Sequence, residues 1–213
     1  MKHIIVRDAI PKEICNYLAI EYRMIRDNVL RTGGAPWDPT VPGAFAMYSP
    51  ICFEALNVYL QPKIEEVIGK ELYSSYSYAR IYKNGCELKR HKDRSSSEYA
   101  VSACITKDVD WPLYFEYENS VEQVELEVGD IVVFQGHKYY HWRRPYNGDE
   151  QIMGFLQYVD KYGDWKHYKY DGRPMMGAPF ETAHPNVHEE MKTLNDGVIE
   201  CDLEDFEQWK IYL

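Results

Sequence analysis

Apolar side chains at Ile14, Leu18, Tyr22, Ile25 and Val29 recur at intervals of three and four, which predicts an amphipathic helix over residues 11–31. Pro11 suits a first helical turn, where a missing N–H costs nothing. The Gly33-Gly34-Ala35-Pro36 run should end the helix, and the Pro- and Gly-rich stretch through Gly43 reads as an irregular loop. A second helical region opens at Ser49-Pro50, read as a cap followed by a first-turn proline. It carries Ile51, Leu56, Leu60, Ile64 and Ile68 inward, with Pro62 expected to break or kink it. From residue 73 the period becomes two: Tyr76, Tyr78, Arg80 and Tyr82 share one parity, and Ser77, Ala79 and Ile81 the other. Strand-like runs follow at 98–105, 112–117, 122–128, 130–134, 139–144 and 151–159, separated by turn residues such as Asn84-Gly85 and Asn147-Gly148. Many short strands at close spacing predict a sandwich or barrel-like β core preceded by helices. Residues 161–213, rich in Tyr, Gly, Pro and acid, read as an irregular extension that wraps the core or mediates association.

Length makes one domain the expectation for 213 residues. With 45% hydrophobic and 27% charged residues the chain can build a core, which excludes disordered, collagen-like and membrane-spanning classes. The net charge of −10, with eight acids against two lysines in residues 186–213, disfavours nucleic acid as a partner. Five scattered cysteines (Cys15, Cys52, Cys86, Cys104, Cys201) form no Cys-x-x-Cys pair. This argues against a disulfide framework or a cysteine zinc site and fits a reducing, cytoplasmic location. The apolar run Ile4-Ile5-Val6 is too short for a signal-peptide core or a membrane span. The 19 tyrosines outnumber Phe and Trp together, in keeping with a polar, aromatic-lined cavity or with ordinary surface and interface rings.

His91-Lys92-Asp93 places an imidazole and a carboxylate two apart, on one face of an extended strand. The bare pair is a weak signal, and the charged run from Lys89 to Arg94 also reads as a solvated turn. His141 follows the apolar strand Ile131-Val132-Val133-Phe134, introduced by Gly129-Asp130. Two histidines and one carboxylate from separate strands would make a facial triad that leaves iron(II) with open positions. His137, four residues before His141, is the rival distal ligand.

The ordered pattern running from Arg80 and Tyr82 through Gly85, Leu88, His91 and Asp93 to Arg94, then Gly129 to Phe134, then His141-Trp142-Arg143 and Pro145, resembles the iron(II)/2-oxoglutarate-dependent dioxygenases. It is most similar to the prolyl 4-hydroxylase-like branch, in its small bacterial and bacteriophage group. The likeness covers about residues 73–160. It implies an α+β, mainly β fold, a double-stranded β-helix of the jelly-roll or cupin kind: residues 1–72 as helical support, 73–160 as β-helix core and 161–213 as extension. It implies Fe(II) held by His91, Asp93 and His141, with 2-oxoglutarate and O2 as co-substrates, ascorbate as reductant, and C–H hydroxylation with release of succinate and CO2. Tyr82 matches the tyrosine whose hydroxyl meets the 2-oxoglutarate 5-carboxylate.

The sequence departs from that pattern where the family places a basic residue ten after the distal histidine to pair the 5-carboxylate, because here the position is Gln151. A buried dianion needs a cation. Arg143, sharing a strand face with His141, is the first substitute and Arg80 the second, with an ion pair to Glu116 or Asp149 as the alternative role for Arg143. Leu113 stands near the position of a family threonine. The Tyr76, Tyr78 and Tyr82 stripe reads as strand packing or a substrate cradle, and Trp111 and Tyr114 as core or substrate mouth.

The resemblance favours a prolyl peptide or an amino acid as substrate, without membrane and with a homo-oligomer left open. β-helix barrels also host isomerases, epimerases and binding modules, so a metal-binding cupin-type barrel that is not an oxygenase is the second reading. A non-catalytic interaction module is the third. Consumption of 2-oxoglutarate with formation of succinate separates the first from both.

Overall fold

A computed structural model describes residues 1–34, 37–38, 40–183 and 185; the acidic segment 186–213, with Cys201, lies outside them. Strand β1 (Ile4–Val6) leads to helix α1 (Lys12–Arg31), then to β2 (Trp37–Asp38), β3 (Val41–Tyr48) and helix α2 (Ile51–Ile68). The strands β4 (Leu72–Lys83), β5 (Leu88–His91), β6 (Tyr99–Cys104), β7 (Leu113–Tyr117) and β8 (Ser120–Val124) follow, then β9 (Ile131–Phe134), β10 (His141–Arg143) and β11 (Glu150–Asp160). They form a seven-stranded sheet ordered β1-β9-β6-β11-β4-β3-β2 and a four-stranded sheet ordered β5-β10-β7-β8. The two antiparallel sheets face one another as a double-stranded β-helix.

The period-two reading of β4 decides the layering. Ser77, Ala79 and Ile81 are fully buried, and Ala79 and Ile81 join Leu18, Tyr22, Phe53, Leu56, Leu60 and Ile64 in one core between the helices and the larger sheet. The opposite parity delivers Tyr82 to a second core between the sheets, with Leu88, Trp111, Leu113, Phe115, Phe134 and Met153. Gly154 of β11 lets Phe53 of α2 lie flat on the sheet, since a Cβ there would come within 2.6 Å of the ring.

Several details differ from the sequence expectation. The first 72 residues are not purely helical: β1, β2 and β3 extend the larger sheet, and the expected loop becomes strand from Val41 because Phe45 to Tyr48 pair in register with Tyr78 to Ile81. Pro11 and Pro50 are cap residues with extended ψ, one position before each helix, and Ser49 is left-handed at φ 50°. Ile51 points outward, 64% exposed. Pro62 neither breaks nor ends α2. It lies on the same exposed face as Val58, whose carbonyl loses its partner where water can replace it. Strand β8 occupies Ser120–Val124 rather than 122–128, because Asp130 caps the turn that follows by accepting the Glu127 amide at 2.8 Å.

Residues 161–183 do pack on the core. Tyr168 and Trp165 cover Val159 and Tyr73. Asp171 accepts both Arg94 Nη1 and Nη2 (2.7 and 2.6 Å) and the Tyr48 hydroxyl (2.7 Å), while Arg173 donates to Glu54 at 3.0 Å. Among the described residues no helix is long and apolar enough to cross a membrane.

Candidate metal centre

β10 lies between β5 and β7, and its register sets His141 directly opposite His91 on one side and Phe115 on the other. The two imidazole rings are 4.3 Å apart between centroids. Asp93, just past β5, is fixed by its own amide, which donates to the Gly136 carbonyl at 3.0 Å. Its Oδ1 then stands 3.4 Å from His91 Nε2 and 3.6 Å from His141 Nε2. One ligand atom from each of the three residues lies within 4.8 Å of the others.

The protonation pattern follows from the second nitrogen of each ring. His91 Nδ1 is 2.7 Å from the Lys89 carbonyl and His141 Nδ1 is 3.1 Å from the Tyr139 carbonyl. A carbonyl only accepts, so both Nδ1 atoms carry the proton and both Nε2 lone pairs point at the shared centre, which is the arrangement of metal-bound histidines. Burial works to raise the Asp93 carboxyl, but when the two rings also carry a proton on Nε2 their attraction and hydrogen bonds outweigh it and hold the carboxyl well below the usual carboxylate range. His137, the rival ligand, stands outside this group. Its ring meets Trp165 edge-on at 4.5 Å, and burial lowers its pKa.

Behind the triad, between the sheets, Arg143 is among the largest fully buried side chains. Its Nη1 donates to the Trp111 carbonyl and its guanidinium lies 4.7 Å from the centre of the Trp111 ring. No carboxylate reaches it among the described residues. The alternative partners are committed or absent: Glu116 takes a two-pronged bond from Arg90, at 2.8 Å for each prong, and no ion pair joins Asp149 to Arg143. Burial accordingly lowers the Arg143 pKa, the signature of a cation without its counter-ion.

Tyr82 sits edge-on to Trp111 at 4.7 Å, and burial raises its phenol pKa against the pull of Arg80 and Arg143, so it is a neutral donor. Gln151, opposite Tyr82 in the register of β4 and β11, is buried. Its amide nitrogen meets only sulfur, at 3.2 Å from Met153 and 3.8 Å from Cys104, and its Oε1 has no partner. Arg80, by contrast, has a carboxylate, since its Nε donates to Asp38. Leu113 is core, and Trp111 is both core and the floor under Arg143. Tyr114 stacks on Trp142 at 5.6 Å. In the tyrosine stripe Tyr82 is buried, while Tyr76 and Tyr78 are half-buried.

Three contributors were not visible in the sequence reading: Gly136, Trp111 as a guanidinium platform, and Asp38. Asp38 lies in the Pro- and Gly-rich stretch before Gly43, where nothing local indicates its partner.

The architecture is that of the 2-oxoglutarate/iron(II) oxygenase fold. Among solved structures, a prolyl-4-hydroxylase from Pseudomonas putida superposes with a TM-score of 0.55 at 16% identity, covering 73% of this chain and 91% of that one. The 2-oxoglutarate-dependent epimerase SnoN of nogalamycin biosynthesis gives 0.61 at 12% identity, covering 83% and 86%. A prolyl hydroxylase from Trichoplax adhaerens gives 0.56 at 13%, covering 75% and 84%. No family model and no curated protein matches the chain.

Proposed function

We propose that this protein is an iron(II)- and 2-oxoglutarate-dependent dioxygenase that hydroxylates a C–H bond of a prolyl peptide or an amino acid. The observation that carries the reading is the His91, Asp93 and His141 cluster, whose two free Nε2 atoms and one carboxylate converge on a single point. Three ligands on one side suit a metal that needs its remaining positions open. The donor set fits iron(II), and Arg143, a buried guanidinium that no carboxylate reaches among the described residues, fits a co-substrate that ends in a carboxylate.

When bound, iron(II) with 2-oxoglutarate and O2 supplies the oxidising power to cleave an unactivated C–H bond, 2-oxoglutarate leaving as succinate and CO2. The chain's own work is positional. His91, Asp93 and His141 hold the metal, with Lys89 and Tyr139 carbonyls fixing the ring tautomers. Arg143 pairs the 5-carboxylate, Tyr82 donates its hydroxyl to the same group, and Trp111, Phe115, Phe134 and Met153 keep water from the inner end. The half-buried faces of Tyr76 and Tyr78 on β4 border the substrate side.

The prolyl-hydroxylase neighbours support the substrate assignment, and the SnoN likeness keeps epimerisation as the second reading. The test is incubation of iron-loaded protein with 2-oxoglutarate, ascorbate and candidate prolyl peptides and amino acids. Succinate and a product heavier by one oxygen support hydroxylation. Succinate with a product of unchanged mass supports epimerisation, and no succinate across all candidates favours the non-oxygenase barrel.

A further inference from the structure

Two guanidinium groups flank Tyr82, and only one of them has a carboxylate. Arg80 Nη1 lies 3.4 Å from the Tyr82 hydroxyl, and the Arg143 charge also acts on that hydroxyl. Arg80 and Tyr82 share the inward parity of β4, and Arg143 points inward from β10. By position alone either could grip the 5-carboxylate of a 2-oxo dicarboxylate.

What separates them is Asp38. Its side chain is fully inaccessible. One oxygen accepts the Thr40 amide (2.8 Å) and hydroxyl (2.6 Å), and the other accepts the Tyr78 hydroxyl (3.2 Å) and Arg80 Nε. Thr40 Oγ1 in turn accepts Arg80 Nη2 at 2.8 Å. We propose that Asp38 is the positioning residue that selects the anchor: by neutralising Arg80 it leaves Arg143, of the two guanidinium groups beside Tyr82 among the described residues, as the one available to the dicarboxylate. The inference rests on the oxygenase reading above.

The physical argument is one of charge closure. A buried cation without a counter-ion is strongly unfavourable, and the ligand that supplies the missing charge gains what the empty site lacks. Arg80 already has that charge; Arg143 does not. Burial would raise the Asp38 carboxyl, but Arg80 and Thr40 outweigh it and keep it below the ordinary range, so the pair stays ionised. A second available guanidinium would let the dianion tilt toward β4 and lose the single orientation that chelation requires. Asp38 lies in the short β2, so the same contact ties the segment before β3 to the inner wall of the barrel.

The experiment is calorimetric titration of the intact Mn(II)-loaded chain with 2-oxoglutarate. Asp38→Asn keeps the shape and releases Arg80. A freed buried cation should tighten 2-oxoglutarate on the order of tenfold, and it should enlarge the thermal shift that the ligand produces. In the Arg143→Ala background, Asp38→Asn should restore binding, because Arg80 takes over; a purely structural role for Asp38 cannot produce that rescue. If Asp38→Asn fails to fold, the pair variant Asp38→Asn/Arg80→Gln removes both charges together and should bind with wild-type affinity. Unchanged or weaker binding in Asp38→Asn without rescue, or lost binding in the pair variant, overturns the proposal while wild-type binding leaves the oxygenase reading standing. A wild-type protein that does not bind 2-oxoglutarate overturns both.

Discussion

Asp93 and Gly136 are in contact across the barrel mouth. The Asp93 amide donates to the Gly136 carbonyl at 3.0 Å, and the Asp93 carboxylate occupies the space that a Cβ on residue 136 would need. The same Cβ would also press on Ala100 at 3.1 Å, so the carboxylate end of Asp93 is the part that must shift. Gly136→Ala should therefore push Asp93 off the line to the two Nε2 atoms and weaken Fe(II) or Mn(II) binding by roughly tenfold or more, the range seen when groups that orient metal ligands are disturbed. Metal titration followed by calorimetry checks this, with the unfolding midpoint showing that the fold survives.

Ligand identity makes a sharper division. His91→Ala, Asp93→Ala and His141→Ala should each abolish stoichiometric Fe(II) binding, because two ligands remain of three. His137→Ala should retain it, since that ring packs on Trp165 and not on the triad. Iron content after loading and desalting measures both outcomes, and retention in His141→Ala with loss in His137→Ala would reverse the assignment.

What could be read from sequence was whatever is periodic or contiguous. The helix over Lys12–Arg31, the two faces of β4 and the His-x-Asp spacing are local facts, and each reappears in the structure. Asp38 lies 42 positions before Arg80, in a stretch whose Pro and Gly content signals a loop, and no periodicity reports such a contact. Whether Pro62 ends α2 is not legible locally for a related reason: the cost of a proline depends on whether the freed carbonyl faces water, which is a property of the folded helix. Gly136 carries no motif, and its necessity appears only when Asp93 is seen against it.

Arg143 should be the group that most affects co-substrate affinity. Removing a charge-assisted anchor from a buried carboxylate costs on the order of 2–5 kcal/mol, so Arg143→Ala should raise the 2-oxoglutarate Kd roughly 30-fold or more. Tyr82→Phe removes one hydrogen bond to a charged group, about 1.5–3 kcal/mol, and should weaken binding less. Iron content should be unchanged in both. Arg80→Ala is the comparison: a large loss there with normal binding in Arg143→Ala would move the anchor to β4.

Glu150 gives the fold an acid-sensitive clamp. Its carboxylate accepts Arg23 Nε, Arg26 Nη1 and Lys83 Nζ, each at 2.7 Å, and so ties α1 to the β4 and β11 pair. Burial works to raise its pKa, but the bonds to Lys83 and Arg23 outweigh it and bring it from 4.5 down to about 2. A carboxyl whose pKa is lower when folded binds protons more readily when unfolded, so its stabilisation is complete above about 4.5 and is lost as pH falls toward 2. Glu150→Gln keeps the size and removes the charge. The wild type should exceed the variant in urea midpoint near neutral pH, and the gap should close progressively across that acid window. Because the other carboxylates titrate equally in both proteins, the difference between the two curves isolates Glu150. A gap that stays constant with pH would assign the effect to shape and hydrogen bonding instead of charge.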